Sequence, residues 1–153
     1  MTPAVDVLNA AGVDYKLCSY KHDRASESYG LEAATKLGVS PERVFKTLIV
    51  ESGKVVCMGL VPVCTKLNLK HIAKASGEKK MFMVDPSRAE KVTGYVVGGV
   101  SPLGQRRILP AFLDISSTLF ETIFVSAGKR GLDIEIEAGD LQVLLGAKVC
   151  HLI

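Results

Sequence analysis

Apolar positions along this chain switch repeatedly between helical and strand spacing, and turn residues mark each switch. Thr2 and Pro3 read as cap and first residue of a short helix whose Val5, Leu8 and Ala11 share a face, with Gly12 as its stop. Val13 to Tyr20 alternates and predicts a half-buried strand that leaves Tyr20 at its end. Ser28 caps a second helix from about Tyr29 to Leu37, Gly38 stops it, and Ser40-Pro41 starts a single turn. Arg43 to Glu51 and Lys54 to Val61 predict a hairpin closed by a two-residue turn at Ser52-Gly53.

The second half repeats these signals. Asn68 caps a helix through Ala75, with Leu67 and Ile72 spaced as a hydrophobic staple and Gly77 closing it. Met81 to Val84 predicts a short strand with its methionines in the core, and Asp85-Pro86 begins a helix to about Thr93. Ile108-Leu109 and Ala111 to Ile115 predict strand interrupted by Pro110, followed by a helical turn at Ser116-Ser117. Thr122 to Ser126 enters a tight connection, Ala127 to Gly131, and returns as Leu132, Ile134 and Ile136 alternating with Asp133, Glu135 and Glu137. By that pattern alone the three acids form a solvated face. Asp140 is expected to cap a closing helix, Leu141 to about Leu145, before a last strand, Lys148 to Leu152. The pattern predicts an α+β fold in which a mostly antiparallel mixed sheet curls toward a barrel, flanked by short helices.

Length and composition narrow the classes. The 153 residues suit one domain, residues 1–153, burying roughly 70% of the unfolded surface. The four cysteines, Cys18, Cys57, Cys64 and Cys150, have no C-x-x-C spacing, and the three histidines are scattered. Neither a metal site nor a cofactor is expected, and reduced thiols in a cytoplasmic protein are. No basic and apolar leader opens the chain and no stretch suits a membrane span, so a membrane partner is not expected. A net charge of +3 is mild, but lysines 66, 70, 74, 79 and 80, Arg106-Arg107 and Lys129-Arg130 cluster.

Two features carry candidate chemistry. Lys46 interrupts the alternate apolar positions Val44, Leu48 and Val50, so it either snorkels at a sheet edge or faces a pocket. The run Tyr95-Val96-Val97-Gly98-Gly99-Val100-Ser101-Pro102-Leu103-Gly104 passes from an apolar segment into a Gly-Gly pair, where a ligand can approach the backbone and amides can meet an oxygen gaining negative charge. It is not a phosphate-binding loop, and it misses the Gly-x-Ser-x-Gly elbow by one residue, which makes Ser101 a poor nucleophile.

Together with Ser19-Tyr20-Lys21-His22-Asp23, Val44-Phe45-Lys46-Thr47-Leu48 and Val125-Ser126-Ala127-Gly128-Lys129-Arg130-Gly131-Leu132-Asp133-Ile134-Glu135, this run resembles the YbaK-type family of trans-acting aminoacyl-tRNA deacylases, related to the editing domain of bacterial prolyl-tRNA synthetase. The resemblance spans almost the whole chain. It implies a curled mixed sheet, hydrolysis of mischarged tRNA, and cysteine on proline tRNA as substrate. It makes Lys46 the essential lysine and Gly98 to Pro102 a Gly-x-x-x-Pro loop, placing Gly98, Gly99, Ser101 and Pro102 with the catalytic groups and Tyr20, Val100, Gly128 and Asp133 in the substrate pocket. Prolyl-tRNA synthetase is the implied partner. No catalytic dyad is visible in these motifs, which hold one histidine, His22, and no cysteine. An alanine-specific deacylase and a non-catalytic RNA-binding module using the basic clusters are the alternatives.

Overall fold

The computed structural model describes residues 1–153 and contains five α-helices and eight strands. Helix α1 (Pro3–Ala11) starts where Thr2 Oγ1 accepts from Val5 N at 3.2 Å, and ends at Gly12 in the left-handed region. Strand β1 (Lys16–Ser19) is shorter than the alternation predicts, because Val13 N is still bonded to Leu8 O at the helix end. Helix α2 (Tyr29–Leu37) is capped by Ser28, and a 3-10 turn, Pro41–Arg43, leads into β2 (Phe45–Glu51). β2 and β3 (Val56–Pro62) form the expected hairpin. Its turn sits one residue later than predicted, on Gly53-Lys54, because Ser52 N bonds Val55 O.

Helix α3 (Leu69–Ser76) is capped by Asn68 and α4 (Pro86–Thr93) by Asp85. Between them β4 (Phe82–Met83) is only two residues long. Met81 is buried as predicted, whereas Met83 is 47% exposed. Residues 108–110 are not strand, and Ile108 is exposed; β5 (Ala111–Asp114) begins after Pro110 and passes into a 3-10 turn, Ile115–Leu119. β6 (Thr122–Lys129) runs three residues further than the pattern suggests and meets β7 (Leu132–Glu137) through a bulge between Ser126 and Lys129. Glu137, not Asp140, stands at the cap of α5 (Ala138–Leu145), leaving Asp140 in its first turn; β8 (Lys148–Cys150) ends the fold.

The strands make two sheets rather than one closing barrel: β1-β7-β6 and β4-β2-β3-β5-β8. Four ladders are antiparallel and two, β3/β5 and β5/β8, are parallel, so the mixed, mostly antiparallel character holds. The sheets touch through a single bridge, Val44 to Phe124. Beyond it the seam is open. Val63 N donates to Val44 O at 2.8 Å, which makes Val44, Lys46, Leu48 and Val50 the residues bonded to β3. The amides and carbonyls of Phe45 and Thr47 therefore point off the other edge of β2, which β4 covers at Val50 and Glu51, Val84 N reaches at Ile49 O, and the bridge to Phe124 meets beside Phe45, leaving Thr47 between them.

Core packing holds this seam in place. Phe45, Ile49, Met58 and Leu60 meet Ile123, Val125, Ile134 and Ile136 of the other sheet, with Ala4 and Leu8 of α1 closing one end. On the opposite face of the larger sheet Val50, Val61 and Phe112 bury Ile72 and Ala73 of α3. Ala33 and Ala34 of α2 pack on Val44, Val63 and Phe124, bridging the sheets.

Thr2 ties α1 to the β6–β7 hairpin as well as capping the helix, since its hydroxyl donates to Ala127 O at 2.6 Å. Thr2→Val keeps the shape and removes both bonds. It is expected to destabilise the protein by about 1–2 kcal/mol in urea denaturation, with Thr2→Ser retaining most of the stability.

Candidate active site

The open edge of β2 borders a cavity of about 410 Å³. α2 forms one wall through Tyr29, Gly30 and Ala33, Val97, Gly98 and Val100 form another, and Ser126 and Asp133 reach in from β6 and β7. A volume of this size admits an amino acid and its ester linkage.

Lys46 lies on the same face of β2 as Leu48 and Val50, half-buried at the cavity wall, and its Nζ donates to Thr65 O at 2.7 Å. Burial lowers its pKa, because the ammonium has lost part of its water shell. Lys46 thus lines the cavity while its ammonium is held on Thr65 O, which lies outside the lining. Thr47, next along the strand, also lines the cavity, and its Oγ1 is buried with no hydrogen-bond partner.

Asp133 departs from the solvated face its pattern predicts. It is 6% exposed, and burial pushes its carboxyl up to about 7. The reason is tertiary. Leu132, Ile134 and Ile136 fill the core between the sheets, while α2 roofs the opposite face, on which Asp133 pairs with Cys18 and Ser126. Glu135, further along, is only half-buried and is neutralised by Arg43 at 3.3 Å, and Glu137 is exposed. Tyr20 stands beside Asp133 in the cavity, its phenol raised to about 12 by burial and by that carboxylate, so it remains a donor at neutral pH. The chain after Tyr20 is clamped to α2 through Glu32, whose carboxylate accepts from Asp23 N at 2.7 Å and contacts His22 Nδ1 at 2.7 Å and Lys36 Nζ at 3.0 Å. His22, the one histidine in the motifs, is thereby engaged with Glu32 outside the cavity.

The glycine-rich loop enters as a turn in which Gly99 N bonds Val96 O at 2.9 Å and Gly98 has φ +89°. That turn uses the Gly99 amide and leaves those of Gly98 and Val100 without a partner in the chain, beside the cavity. Gly98, Val100, Lys46, Tyr20 and Asp133 are thus brought together. Gly99, Ser101, Pro102 and Gly128 lie behind the wall. Gly99 packs on the β6–β7 tip, where a Cβ would stand 2.7 Å from Lys129 Cα; Ser101 is fully buried with its Oγ accepting from Leu103 N; Pro102 is buried; and Gly128 lies against the Tyr95 ring.

Tyr29, Thr47 and Ser126 are cavity residues that sequence reasoning did not single out. For Ser126 a signal existed, since the hairpin register pairs it with Asp133 on one face. Neither Tyr29 nor Thr47 carried a comparable sign.

An apolar cavity with one lysine, one buried carboxyl and unpartnered loop amides defines a site for a small polar group whose oxygen gains charge. The model of the aminoacyl-tRNA editing domain matches residues 27–144, and the chain belongs to that family. It is 36% identical over 137 residues to the Enterococcus faecalis protein named "Putative Cys-tRNA(Pro)/Cys-tRNA(Cys) deacylase EbsC", covering 88% of this chain and 82% of that one. It is also 31% identical over 100 residues to the proline–tRNA ligase of Moorella thermoacetica, matching 65% of this chain and 17% of the ligase. The fold is that of a solved structure described as "a putative trans-editing enzyme for prolyl tRNA synthetase", with a TM-score of 0.85 at 24% identity over 99% of this chain and 98% of that one.

A carboxyl that is neutral when folded and ionised when unfolded makes stability fall as pH rises. The folded Asp133 value, about 7, lies above the unfolded 3.8, so the loss begins near pH 4 and is complete above pH 7. The slope across that window is up to about 1.4 kcal/mol per pH unit. Asp133→Asn is expected to flatten it, so that the variant gains stability over the parent at pH 8 and not at pH 4, as measured by denaturant titration at both values.

Proposed function

We propose that the protein removes cysteine from mischarged proline tRNA, as a trans-acting partner of prolyl-tRNA synthetase. Membership of the editing-domain family supports the aminoacyl-tRNA substrate class, and the names of the Enterococcus and Moorella relatives support the amino acid and the tRNA. One observation carries the chemical reading: the cavity holds charge-stabilising groups, yet neither cysteine nor histidine lines it. The serines there are engaged, Ser28 as cap of α2 and Ser126 accepting from Gly128 N at 3.2 Å.

In this reading the aminoacyl group enters along the open edge of β2. Its α-ammonium is received by Asp133, which the positive charge returns to the ionised form. Its carbonyl oxygen faces the free amides of Gly98 and Val100, which are fixed before reaction and so stabilise the developing oxyanion without reorganisation. Lys46 supplies positive charge toward the terminal ribose, steadied by Thr65 O. Gly99, Ser101, Pro102 and Gly128 act from behind, holding the amides at their angle.

The nucleophile is the substrate's own thiol. Its sulfur, deprotonated, attacks the carbonyl carbon, the C–S bond forms, the C–O bond to the ribose breaks, and the ribose oxygen takes up one proton in place of the one the thiol gave to water. Cysteine leaves as a four-membered thiolactone that water opens later. Orientation supplies the rate: well-aligned intramolecular attack reaches effective molarities of about 10⁵ M, less the strain of the small ring. A trans-acting site is needed because a synthetase pocket separates such small amino acids by only about 1–3 kcal/mol.

Lys46→Ala is expected to lower kcat/KM by about 10²-fold or more with melting unchanged, and Lys46→Arg to restore only part, since a planar fork replaces a point charge. Near-parental turnover by the alanine variant would remove Lys46 from the mechanism.

Proline tRNA carrying cysteine should be cleaved and the same tRNA carrying serine or 2-aminobutyrate should resist, because only the thiol ionises near neutral pH. Equal rates for all three would make a bound water the nucleophile. Preferential cleavage of the alanyl ester would overturn the cysteine assignment.

A further inference from the structure

Arg130 occupies the two-residue tip between β6 and β7 and is exposed, yet its side chain is not free to wander. Its Nε donates to Val97 O at 2.9 Å, and its guanidinium carbon lies 4.7 Å from the centroid of the Tyr29 ring. Tyr29 and Val97 are both cavity residues, and Gly98 sits between them. A Cβ on Gly98 would come within 2.8 Å of the Tyr29 ring and 2.9 Å of Arg130 Nε, so the guanidinium lies directly against the loop at the rim of the pocket.

What Arg130 lacks is an anion. The arginines of the other close contacts spend their forks on carboxylates, Arg43 on Glu135 and Arg88 on Glu51. Arg130 makes no ion pair, and its terminal nitrogens make no hydrogen bond within the chain. Glu90, the nearest acid engaged with the loop, accepts from Val97 N and stands outside ion-pair distance of Arg130. A guanidinium whose plane is set by stacking and by one bond, with its outer donors unspent, has already lost the rotamer freedom that binding would otherwise cost. Such a fork matches the paired oxygens of a phosphodiester.

We propose that Arg130, braced by Tyr29 and Val97, binds the phosphodiester that joins the last two nucleotides of the tRNA substrate. The inference rests on the deacylase reading for its geometry: with the aminoacyl ester in the cavity, the terminal ribose lies at the rim, and the phosphate one ribose away is the first anion the strand presents. Lys129, exposed beside it, adds charge of the same sign.

Two substrates separate this role from simple bracing of the loop. Cysteine esterified to adenosine carries no phosphate, whereas cysteine esterified to the trinucleotide CpCpA does. Arg130→Met, which keeps the stem, should raise KM for the trinucleotide at least 10-fold with kcat little changed, and the loss should be confined to that substrate. Equal losses with both, carried in kcat, would show that Arg130 only shapes the loop and would overturn the proposal.

A second measurement does not depend on cleavage. Binding of uncharged CpCpA to the parent protein, followed as a function of salt, should show a log–log slope shallower by about 0.7 in Arg130→Met, the value for one phosphate contact on a single strand. Arg130→Lys should keep the slope and lose part of the affinity. An unchanged slope in the methionine variant would overturn the site. Failure of the parent to cleave either ester, with the slope difference intact, would instead overturn the deacylase reading and leave the phosphate site standing.

Discussion

The architecture depends on a backbone-to-backbone contact between two loops. Gly99 lies so close to the β6–β7 tip that a methyl group would stand 2.7 Å from Lys129 Cα and 2.9 Å from Arg130 N. Side chains cannot mediate such a contact; only the absence of one permits it. From it follow the angle at which the Gly98 and Val100 amides meet the cavity, the perch of Arg130 over Tyr29, and the closure of the pocket on the side away from β2. Gly131, in the left-handed region with its would-be Cβ 2.7 Å from Tyr20 O, extends the same contact to the chain that carries Tyr20. Three motifs far apart in the chain are thus registered against one another by hydrogen atoms where other residues would have carbon.

The pocket itself is a place where sheet formation stops. β4 pairs with β2 at only Val50 and Glu51, and the two sheets meet at one bridge beside Phe45, so between them the peptide group of Thr47 is left facing a cavity rather than a neighbouring strand. An exposed sheet edge is normally a liability that a protein covers or charges. Here α2, α4 and the glycine-rich loop wall it instead, turning unspent backbone bonds into a lining for a polar ligand.

Charge in that lining is held under tension. Burial weakens the ionised forms of both Asp133 and Lys46, and the Oγ1 of Thr47 has no partner. In the proposed reading an aminoacyl ester in the cavity gives these groups a partner, the condition under which binding energy is directed to charges that matter in the reaction. By contrast Glu32, also buried, is fully paired with Asp23 N, His22 and Lys36, which hold its carboxyl at about 2 despite the burial that opposes ionisation. Of the two buried acids, one is a paired clamp and the other faces the cavity with its ionised form opposed by burial.

Local chemistry alone determined most of the elements. Thr2, Ser28, Asn68 and Asp85 cap their helices, and glycines at 12, 38, 77, 94 and 146 end them, because capping and left-handed termination act within a few residues. The odd lysine in the apolar row of β2 and the Gly-Gly loop were visible as departures from such local rules, and a family resemblance could join them. Tertiary structure decided what depends on partners distant in sequence. Alternation placed Asp133 with Glu135 and Glu137 on a wet face, but a strand's period says only which residues share a face, not whether α2 will cover it. Barrel closure was likewise beyond reach, since it turned on whether β2 and β6 would pair beyond the one bridge from Val44 to Phe124. The fixing of Arg130 at the rim needed Val97 and Tyr29, 33 residues away in one case, to arrive at the same point in space.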